Sequence, residues 1–394
     1  MKEGWEIKKL GDVCKVIAGQ SPEGKFYNTS GKGLPFYQGK KDFGEKFIGT
    51  PSTWTTQVTK IARRGDILMS VRAPVGPVNF TDDDVCIGRG LASIQSKDEL
   101  NSDFLFYQML SLQSGIAGKA GAVFASISKS EIEELSIAFT NLFEQKRIVG
   151  ILDKAFEDIA TAKANAEKNL KNARELFDSY LNSVFSRRGE GWVENKLIAL
   201  TSKIGSGATP RGGENAYKSD GISLIRSLNV HDMGFRRHKL AFLDVAQAKG
   251  LSNVEVQHRD VLLNITGASV ARCCLVPDEV LPARVNQHVS IIRPLPNKLD
   301  ADFLHYLLIS RYYKDQLLQT GAEGGSTRQA ITKTQIQNFN VGYPSEMMAQ
   351  KAIVFKSDEI LAETQRLESI YQKKIEALGE LKKSILYQAF NGDL

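Results

Sequence analysis

Three short segments contain residue types that catalyse reactions in other proteins, and each lacks a partner residue. Gly19-Gln20-Ser21-Pro22 begins like a nucleophile elbow, but the next glycine is Gly24, one position too late. Pro277-Asp278-Glu279 resembles part of a nuclease carboxylate cluster without the spaced Glu-x-Lys. Gly321 to Ser326 is glycine-rich like a phosphate-binding loop, but no Lys-Ser or Lys-Thr follows it. We therefore predict no catalytic site in any of the three.

Two further motifs of DNA-modifying and zinc enzymes are missing. The chain contains neither the Asn/Asp-Pro-Pro-aromatic tetrapeptide of amino-methylating enzymes nor a His-Glu-x-x-His zinc helix. Its four cysteines, Cys14, Cys86, Cys273 and Cys274, have neither Cys-x-x-Cys spacing nor a disulfide-scaffold pattern. We expect buried thiols, no metal site and a chain that is not an enzyme.

The charge of the chain permits a polyanionic partner without requiring one. The net charge is +6, and residues 190 to 345 contribute 18 basic against 14 acidic residues together with all five histidines. No run approaches the roughly 18 apolar residues of a membrane helix. Five of the first ten residues are charged, in a region where a signal peptide would have an apolar core. We expect a cytoplasmic protein with no membrane partner.

The elements that must position any binding residues are written twice in this sequence. Trp5-Glu6-Ile7-Lys8-Lys9-Leu10 returns as Trp192-Val193-Glu194-Asn195-Lys196-Leu197, at an offset of 187. Gly65-Asp66-Ile67-Leu68 returns as Arg259-Asp260-Val261-Leu262 at 194, and Ile127-Ser128-Lys129-Ser130 returns as Ile331-Thr332-Lys333-Thr334 at 204. Offsets that grow in small steps are typical of two copies of one fold with different loop lengths.

The last part of each copy has a fixed length. From Gln145-Lys146 and Gln350-Lys351 onward the offset stays at 205. Apolar residues there are spaced alternately four and three apart, which predicts the seam of a coiled coil. The predicted pairing seam includes Ile148, Leu152, Ile159, Leu176 and Tyr180 in the first helix and Ile353, Ile360, Leu367, Tyr371, Leu378, Leu381 and Ile385 in the second. The alternative is that each helix packs only on its own domain; we favour mutual pairing.

The resulting architecture is α+β. Short strands with Gly- and Pro-rich turns and a few helices predict two similar globular domains, separated by two long coiled-coil helices in a pseudo-twofold arrangement. The predicted segments are residues 1–143 and 189–345 for the two domains, and residues 144–188 and 346–394 for the helices. Each helix would span roughly 60 Å at about 1.5 Å per residue.

This order of elements resembles the specificity subunit of type I restriction-modification systems along essentially the whole chain. The resemblance is carried by the Trp-x-x-x-x-Leu openings at Trp5 and Trp192, the Gly-Asp-Ile-Leu strand at Gly65 and the Ile-Gly-Arg-Gly-Leu-Ala run from Ile87 to Ala92. It is also carried by the Ile-Ser-Lys-Ser and Ile-Thr-Lys-Thr segments and by the Glu-Leu-x-x-Ser helix ends. Each motif is short, and their order, repeated twice, is what is specific.

The resemblance implies a DNA-reading subunit. In that family each globular unit is a target-recognition domain for one half of a bipartite double-stranded DNA site. The helices form an antiparallel coiled-coil spacer that docks methyltransferase subunits, expected here to be two. By the same resemblance no cofactor belongs to this chain. Its partners would use S-adenosylmethionine to methylate adenines and, if motor-nuclease subunits join, ATP and magnesium for restriction.

A DNA-reading domain needs basic groups for phosphates and forked side chains for base edges. The candidates are Gln38, Lys40, Lys41, Arg72 and Arg89 in the first domain, and Arg211, Arg226, Arg236, Arg237, His238, Arg272, Gln287 and Arg328 in the second. For each of them a solvated surface side chain is the alternative.

Gln38 and Arg226 are our preferred pair of base readers, because both follow matching strands at an offset of 188. His288, beside Asn286 and Gln287, either adds a polar reading edge or is a structural histidine, and we favour the structural role.

Two rival functions stay open. One is a repeat-built scaffold that binds proteins and not DNA; a steep loss of DNA binding with rising salt would argue against it. The other is an unrecognised nuclease, which would cut DNA alone when magnesium is added. The target bases do not follow from the sequence.

Overall fold

The computed structural model describes residues 4–119, 126–322 and 330–394. The chain forms two compact units, Met1–Glu167 with Gln372–Leu394, and Lys168–Tyr371. Each unit contains one globular domain, part of the first long helix and part of the second.

Among the described residues, the first domain contains eleven short strands and three helices before the long helix α4 begins. The strands are β1 (Glu6–Lys9), β2 (Cys14–Ala18), β3 (Tyr27–Asn28), β4 (Leu34–Tyr37), β5 (Trp54–Thr55), β6 (Ile61–Ala62), β7 (Ile67–Ser70), β8 (Val78–Phe80), β9 (Val85–Ile87), β10 (Leu91–Ser96) and β11 (Ser136–Phe139). The helices are α1 (Leu10–Val13), α2 (Ser102–Lys119), α3 (Lys129–Glu133) and α4 (Leu142–Arg187).

The second domain follows a similar order of elements. Its strands are β12 (Trp192–Lys196), β13 (Thr201–Ser206), β14 (Ile222–Ile225), β15 (Val230–His231), β16 (Gly234–Phe235), β17 (Ala241–Leu243), β18 (Glu255–Val256), β19 (Val261–Asn264), β20 (Cys273–Leu275), β21 (Ala283–Val285), β22 (Val289–Pro294) and β23 (Asn340–Pro344). Its helices are α5 (Leu197–Leu200), α6 (Val245–Lys249), α7 (Ala301–Ile309), α8 (Arg311–Ala322), α9 (Lys333–Asn338) and α10 (Met347–Asn391).

Corresponding strands pair in the same way in the two domains. The first sheet has the order β2-β10-β7-β8 in one domain and β13-β22-β19-β20 in the other. A second sheet contains one parallel pair, β4 with β9 and β14 with β21. The first strand of each domain pairs antiparallel with its last, β1 with β11 and β12 with β23. The predicted α+β class with two similar domains is confirmed.

A buried glutamine fastens each long helix to its domain. The Gln145 amide donates to Thr140 O at 2.7 Å and Glu99 O at 3.0 Å and accepts from Asn101 N at 2.7 Å. Gln350 donates to Pro344 O and Lys298 O, both at 3.0 Å, and accepts from Asp300 N at 2.8 Å. Both side chains are fully buried, and all three contacts satisfy backbone groups that would otherwise lack a partner. The Gln-Lys step at which the offset becomes constant is therefore a structural junction.

Two other features recur at the same places. Ser128 and Glu131 form a capping box at the start of α3, and Thr332 and Gln335 form one at the start of α9. The hydroxyl of Tyr107 donates to Asp153, and that of Tyr306 donates to Asp358. Each domain therefore also hydrogen-bonds to its long helix through a tyrosine.

The long helices pair antiparallel inside each unit. In the first unit, Leu386 and Ala389 share a hydrophobic core with Ile148 and Leu152, and Lys382 Nζ lies 4.6 Å from the centre of the Phe156 ring. In the second unit, Arg174 lies 3.7 Å from Glu368, and Ile353 and Ile360 pack against the hydrophobic core that contains Phe177 and Leu181. In both units, contacting residues with higher numbers in α4 meet residues with lower numbers in α10, which is the pattern of antiparallel helices.

The heptad prediction is wrong at Leu176 and Leu381, one predicted seam residue in each helix. Ile148, Leu152 and Ile159 are buried, and Tyr180, Ile353, Ile360, Leu367, Tyr371, Leu378 and Ile385 are half-buried. Leu176 and Leu381 are exposed, at 44% and 47%, while Leu170 and Phe177 in α4 are buried. The inward face therefore moves by one residue after Ala166, and the same step follows Tyr371, 205 positions later. A straight α-helix has 3.6 residues per turn, so a strict 3.5-residue pattern drifts off the buried face.

Candidate nucleic-acid interface

In the first domain, backbone hydrogen bonds bring four loops to one edge of the parallel strand pair. Gly88 N donates to Tyr37 O at 2.8 Å, and Leu91 N donates to Gly88 O at 3.0 Å. Val71 N donates to Gly90 O at 3.0 Å, and Gly19 N donates to Leu91 O at 2.9 Å. The ends of β2, β4, β7 and β9 therefore meet, and we call this the first edge.

Glycines make this convergence possible. A Cβ atom at Gly90 would lie 2.2 Å from Gln38 O, and one at Gly19 would lie 2.2 Å from Gly88 O. Neither distance can accommodate a side chain, so only glycine lets the turn at 88–90 approach its neighbours. Gln38 and Arg89 consequently lie on adjacent segments of backbone.

The side chains predicted to bind DNA in this domain lie on or beside the first edge. Gln38, Lys40, Lys41, Arg72 and Arg89 are all exposed. None of the four cations forms an ion pair with any residue that the structure describes. Exposed cations without carboxylate partners can bind phosphates or base edges without first breaking an internal salt bridge.

The second domain builds the corresponding edge with matching backbone contacts. Asn286 N donates to Ile225 O at 3.1 Å, Val289 N donates to Asn286 O at 3.3 Å, and Ile265 N donates to His288 O at 3.0 Å. A Cβ atom at Gly207 would lie only 1.6 Å from Val285 O, so a glycine again permits the close approach. The turn at 286–288 therefore corresponds to the turn at 88–90, and we call this the second edge.

The side chains of the second edge form a hydrogen-bonded chain in place of free cations. The Thr209 hydroxyl donates to Gln287 Oε1, and Gln287 Nε2 lies 3.1 Å from His288 Nε2. His288 Nδ1 in turn lies 2.6 Å from Thr266 Oγ1. His288 thus contacts a side chain on each side, and Gln287 stays exposed.

Arg226 occupies the position of Gln38, but its guanidinium is held inside its own domain. It donates to Glu214 Oε1 at 2.8 Å and to Lys239 O at 2.7 Å, and it lies 5.1 Å from the centre of the Tyr217 ring. Only 13% of the side chain is exposed. The predicted pair therefore shares a backbone position, and only Gln38 has an exposed side chain. Whether Arg226 contacts DNA stays a prediction.

The other basic candidates of this domain lie on separate loops. Arg236, Arg237 and His238 are exposed on the loop after β16, which Asn229 holds by donating to Arg236 O at 2.8 Å. Arg237 pairs with Glu279 at 3.2 Å. Arg211 is exposed two residues after Thr209, and Arg272 is half-buried before β20. Arg328 lies outside the described residues.

Thr209 and Thr266 are edge residues that the sequence analysis did not select. Thr209 had a signal, because Gly207-Ala208-Thr209-Pro210 repeats Gly19-Gln20-Ser21-Pro22 at an offset of 188 and places Thr209 at the position of Ser21. Thr266 had none, since its contact with His288 joins residues 22 positions apart.

The buried cysteines are poor nucleophiles. All four are free and buried, and burial raises the pKa of the Cys14 and Cys274 thiols to about 12. Among the described residues, no group of three or more His, Cys, Asp or Glu side chains is arranged to hold a metal ion. In the same part of the chain, no helix is long and apolar enough to cross a membrane.

Comparison with known proteins links this architecture to one family. The sequence profile described as "Type I restriction modification DNA specificity domain" matches residues 2–171 and 248–377. A putative type I restriction enzyme MjaX specificity subunit of Methanocaldococcus jannaschii is 40% identical over 177 residues, which are 44% of this chain and 41% of that relative. This chain thus matches less than half the length of that relative.

Two further similarities extend over the whole chain. The MjaVIII specificity subunit of the same archaeon is 23% identical over all of this chain and 93% of its own length. A solved structure described as the basis of complex assembly and conformational transition of the type I R-M system covers 100% of this chain and 99% of its own. Its TM-score is 0.78 at 19% identity. The structural similarity supports the fold, and the profile match supports the family.

Proposed function

Because this chain belongs to the type I restriction modification DNA specificity family, we propose that it reads a bipartite double-stranded DNA site, one half with each globular domain. The observation that carries this proposal is the edge that occurs twice, with matching backbone hydrogen bonds and different exposed side chains. One scaffold with two side-chain sets suits a protein that reads two different half-sites.

The first domain contributes unpaired cations to this function. Lys40 and Lys41 are exposed beside the turn at 88–90, where they would contact phosphates and fix the position of the domain on the duplex. Arg72, also exposed, would contact a base edge. The second domain would use Arg211, Arg236 and His238 in the same way.

The long helices would set the distance between the two half-sites. Helix α4 runs without a break from Leu142 to Arg187, and α10 runs from Met347 to Asn391. Both carry exposed apolar residues away from the pairing face, including Ile151 and Phe355. We propose that such positions dock two methyltransferase subunits, one for each copy of the repeat.

The chemistry would belong to these partners. S-adenosylmethionine would serve the methyltransferase subunits, and ATP with magnesium would serve motor-nuclease subunits where they join. This chain would be a non-catalytic subunit acting in the cytoplasm. A DNA-free scaffold would bind the same partners without salt-dependent affinity for duplexes, so a salt titration of DNA binding separates the two functions.

Exchanging one domain tests the proposal. Residues 1–143 are replaced by the recognition domain of another family member, and the chain is expressed with its methyltransferase subunits. Sequencing of methylated adenines should show one half-site changed and the other unchanged, because each domain has its own core. Alteration of both half-sites would contradict independent reading.

Lengthening the spacer tests the role of the helices. One heptad is inserted after Phe156 and another at Lys382, the two positions in contact, so that facing residues stay paired. The added length is about 10 Å, or roughly three base pairs. The gap in the methylated site should widen by up to that amount, and an unchanged gap in an active protein would exclude the helices as the ruler.

A further inference from the structure

The turns at 88–90 and 286–288 each present one exposed side chain from a fixed backbone. In each turn the first residue donates to the end of β4 or β14, and the third accepts from the residue after β7 or β19. The middle residue is Arg89 in one domain and Gln287 in the other, and both are exposed. Because the anchoring hydrogen bonds match, the side chains of Arg89 and Gln287 extend from equivalent backbone positions in the two domains.

Gln287 is held in one orientation by its neighbours. Its Oε1 accepts from the Thr209 hydroxyl, and its Nε2 lies 3.1 Å from His288 Nε2. An amide oxygen has two lone pairs and an amide nitrogen has two hydrogens, so one acceptor site and one donor remain unused. Adenine presents the complementary pair in the major groove, a donor at N6 and an acceptor at N7.

Arg89 presents a different pattern at the equivalent place. Its backbone N donates to Ser21 Oγ at 3.3 Å, and its guanidinium has no ion-pair partner among the residues described. A guanidinium offers two parallel donors, which match the O6 and N7 acceptors of guanine. Ser21 corresponds to Thr209, so in each domain the turn is contacted by a hydroxyl from the equivalent loop.

We propose that Arg89 and Gln287 are equivalent base-reading residues, so the first half-site carries a guanine at the position where the second carries an adenine. This inference rests on the proposed function and names the bases read at the two edges. Thr209 is a positioning residue, because it acts on the base only through the Gln287 amide.

Reciprocal substitutions test the assignment. The full-length chain, purified with its methyltransferase subunits, is used to select duplexes from a randomised pool. Gln287→Arg should replace adenine by guanine at one position of the second half-site, and Arg89→Gln should make the opposite change in the first. Each variant should leave the other half-site as it was, which also shows that the protein is folded.

Gln287→Glu removes the amide donor at nearly constant shape. We expect discrimination against the wrong bases at that one position to fall by about 5- to 150-fold, since a carboxylate oxygen facing adenine N7 places two acceptors together and the bidentate pair is lost. Gln257→Glu is the matched control, because Gln257 is an exposed glutamine of the same domain on the turn before β19. It should leave the selected sequence unchanged.

The positioning role has its own signature. Thr209→Val should reduce discrimination at the adenine position without changing the preferred base or the salt dependence, and Thr209→Ser should restore it.

Unchanged base preference in the reciprocal variants would overturn the inference while the proposed function stood. Uniform weakening on all sequences with a flatter salt slope would also overturn it, since that is the behaviour of phosphate contacts. A parent complex without any sequence preference would overturn the inference and the proposed function together.

Discussion

The two domains hold an equivalent buried carboxylate by different means. Asp66 accepts from Arg63 N at 2.8 Å, Ser93 Oγ at 2.7 Å and Gln95 Nε2 at 2.8 Å. Asp260, 194 positions later, accepts from Gln257 N at 2.7 Å. It also accepts from Arg293 Nε at 2.7 Å and Arg293 Nη2 at 2.8 Å.

This difference shows what the fold requires and what it leaves open. Both carboxylates receive a backbone N–H from the residue three positions earlier, so the turn is common to the two domains. Neutral donors complete one site and a guanidinium completes the other. The fold thus requires that the buried acceptor be satisfied and leaves the chemistry of its partner free. The two edges follow the same rule, because matching backbone contacts carry free cations in one domain and a hydrogen-bonded chain of side chains in the other.

Removing a side-chain partner of each buried carboxylate should give the largest difference in stability between the two units. Arg293→Ala leaves the fully buried Asp260 without a counter-charge and should lower the free energy of unfolding of the second unit by about 3–5 kcal/mol. Gln95→Ala leaves Asp66 with two donors and should cost about 1 kcal/mol. Hydrogen exchange of peptides from β19 and β7 in a urea series measures both.

Arg293→Gln is the control for that comparison. It supplies a neutral donor like Gln95 and should recover most of the stability lost in Arg293→Ala. Equal losses in Arg293→Ala and Gln95→Ala would mean that the ion pair contributes no more than the neutral hydrogen bond.

The buried glutamines should behave alike, because their contacts are the same. Gln145→Ala and Gln350→Ala each remove three hydrogen bonds to buried backbone groups, and each should destabilise its own unit by about 3 kcal/mol. Hydrogen exchange of α2 and α7 peptides reports on the two junctions, with Gln257→Ala as an exposed control. A large effect in only one unit would contradict a shared junction.

Arg72 and Arg226 sharpen the comparison of the two edges. Arg72→Ala should weaken specific binding by about 1–3 kcal/mol at the first half-site only and leave stability unchanged, since its side chain is exposed. Arg226→Ala should instead lower the stability of the second domain by about 1–3 kcal/mol, because it leaves Lys239 O without its donor. Binding selections and thermal unfolding of both variants separate the two effects. A loss of binding in Arg226→Ala without a loss of stability would restore Arg226 as a base reader.

His305 should give the second unit a small pH dependence that its counterpart lacks. Burial lowers the pKa of the His305 imidazole from its ordinary value near 6.5, and Phe106 occupies the equivalent place in the first domain. Below pH 6.5 the His305 imidazole therefore binds a proton more readily in the unfolded chain than in the folded one. The stability is therefore present above pH 6.5 and is lost as pH falls through the lowered pKa.

The loss between pH 7.5 and 5.5 reaches at most about 1.4 kcal/mol, because protonation of a single group is linked to unfolding. Hydrogen exchange of α7 peptides should show it in the parent chain, and His305→Phe should flatten the slope. Peptides of α2 provide the internal reference. An unchanged slope in His305→Phe would assign the pH dependence to other groups.

The repeated architecture followed from the sequence, because the repeat is visible in short motifs whose spacing the fold conserves. Trp5 and Trp192 both begin the first strand region of a domain, and Gln145 and Gln350 both mark the start of the fixed offset. The heptad pattern placed Ile148, Leu152 and Ile159 on the buried face. It failed at Leu176 and Leu381 because apolar residue types alone do not report the small rotation accumulated along a straight helix.

The edges were less accessible to sequence reasoning. Basic residues near turns identified Lys40, Arg72 and Arg89, since local composition is enough to predict exposure there. The internal position of the Arg226 guanidinium depends on Glu214 and Tyr217, about ten residues away, and on the carbonyl of Lys239. Such contacts depend on tertiary structure, so no local pattern contained them.

The fixed turns also bear on how this protein can diverge. Residues 89 and 287 are exposed, and the neighbouring residues 88, 90 and 286 are buried and provide the anchoring backbone hydrogen bonds. Surface substitutions of this kind usually change stability by about 0.5 kcal/mol or less. A single mutation at either position is therefore nearly neutral for folding, so we expect these two positions to vary more among related chains than their neighbours do. Related lineages should share the turns and differ in the residue at the centre of each.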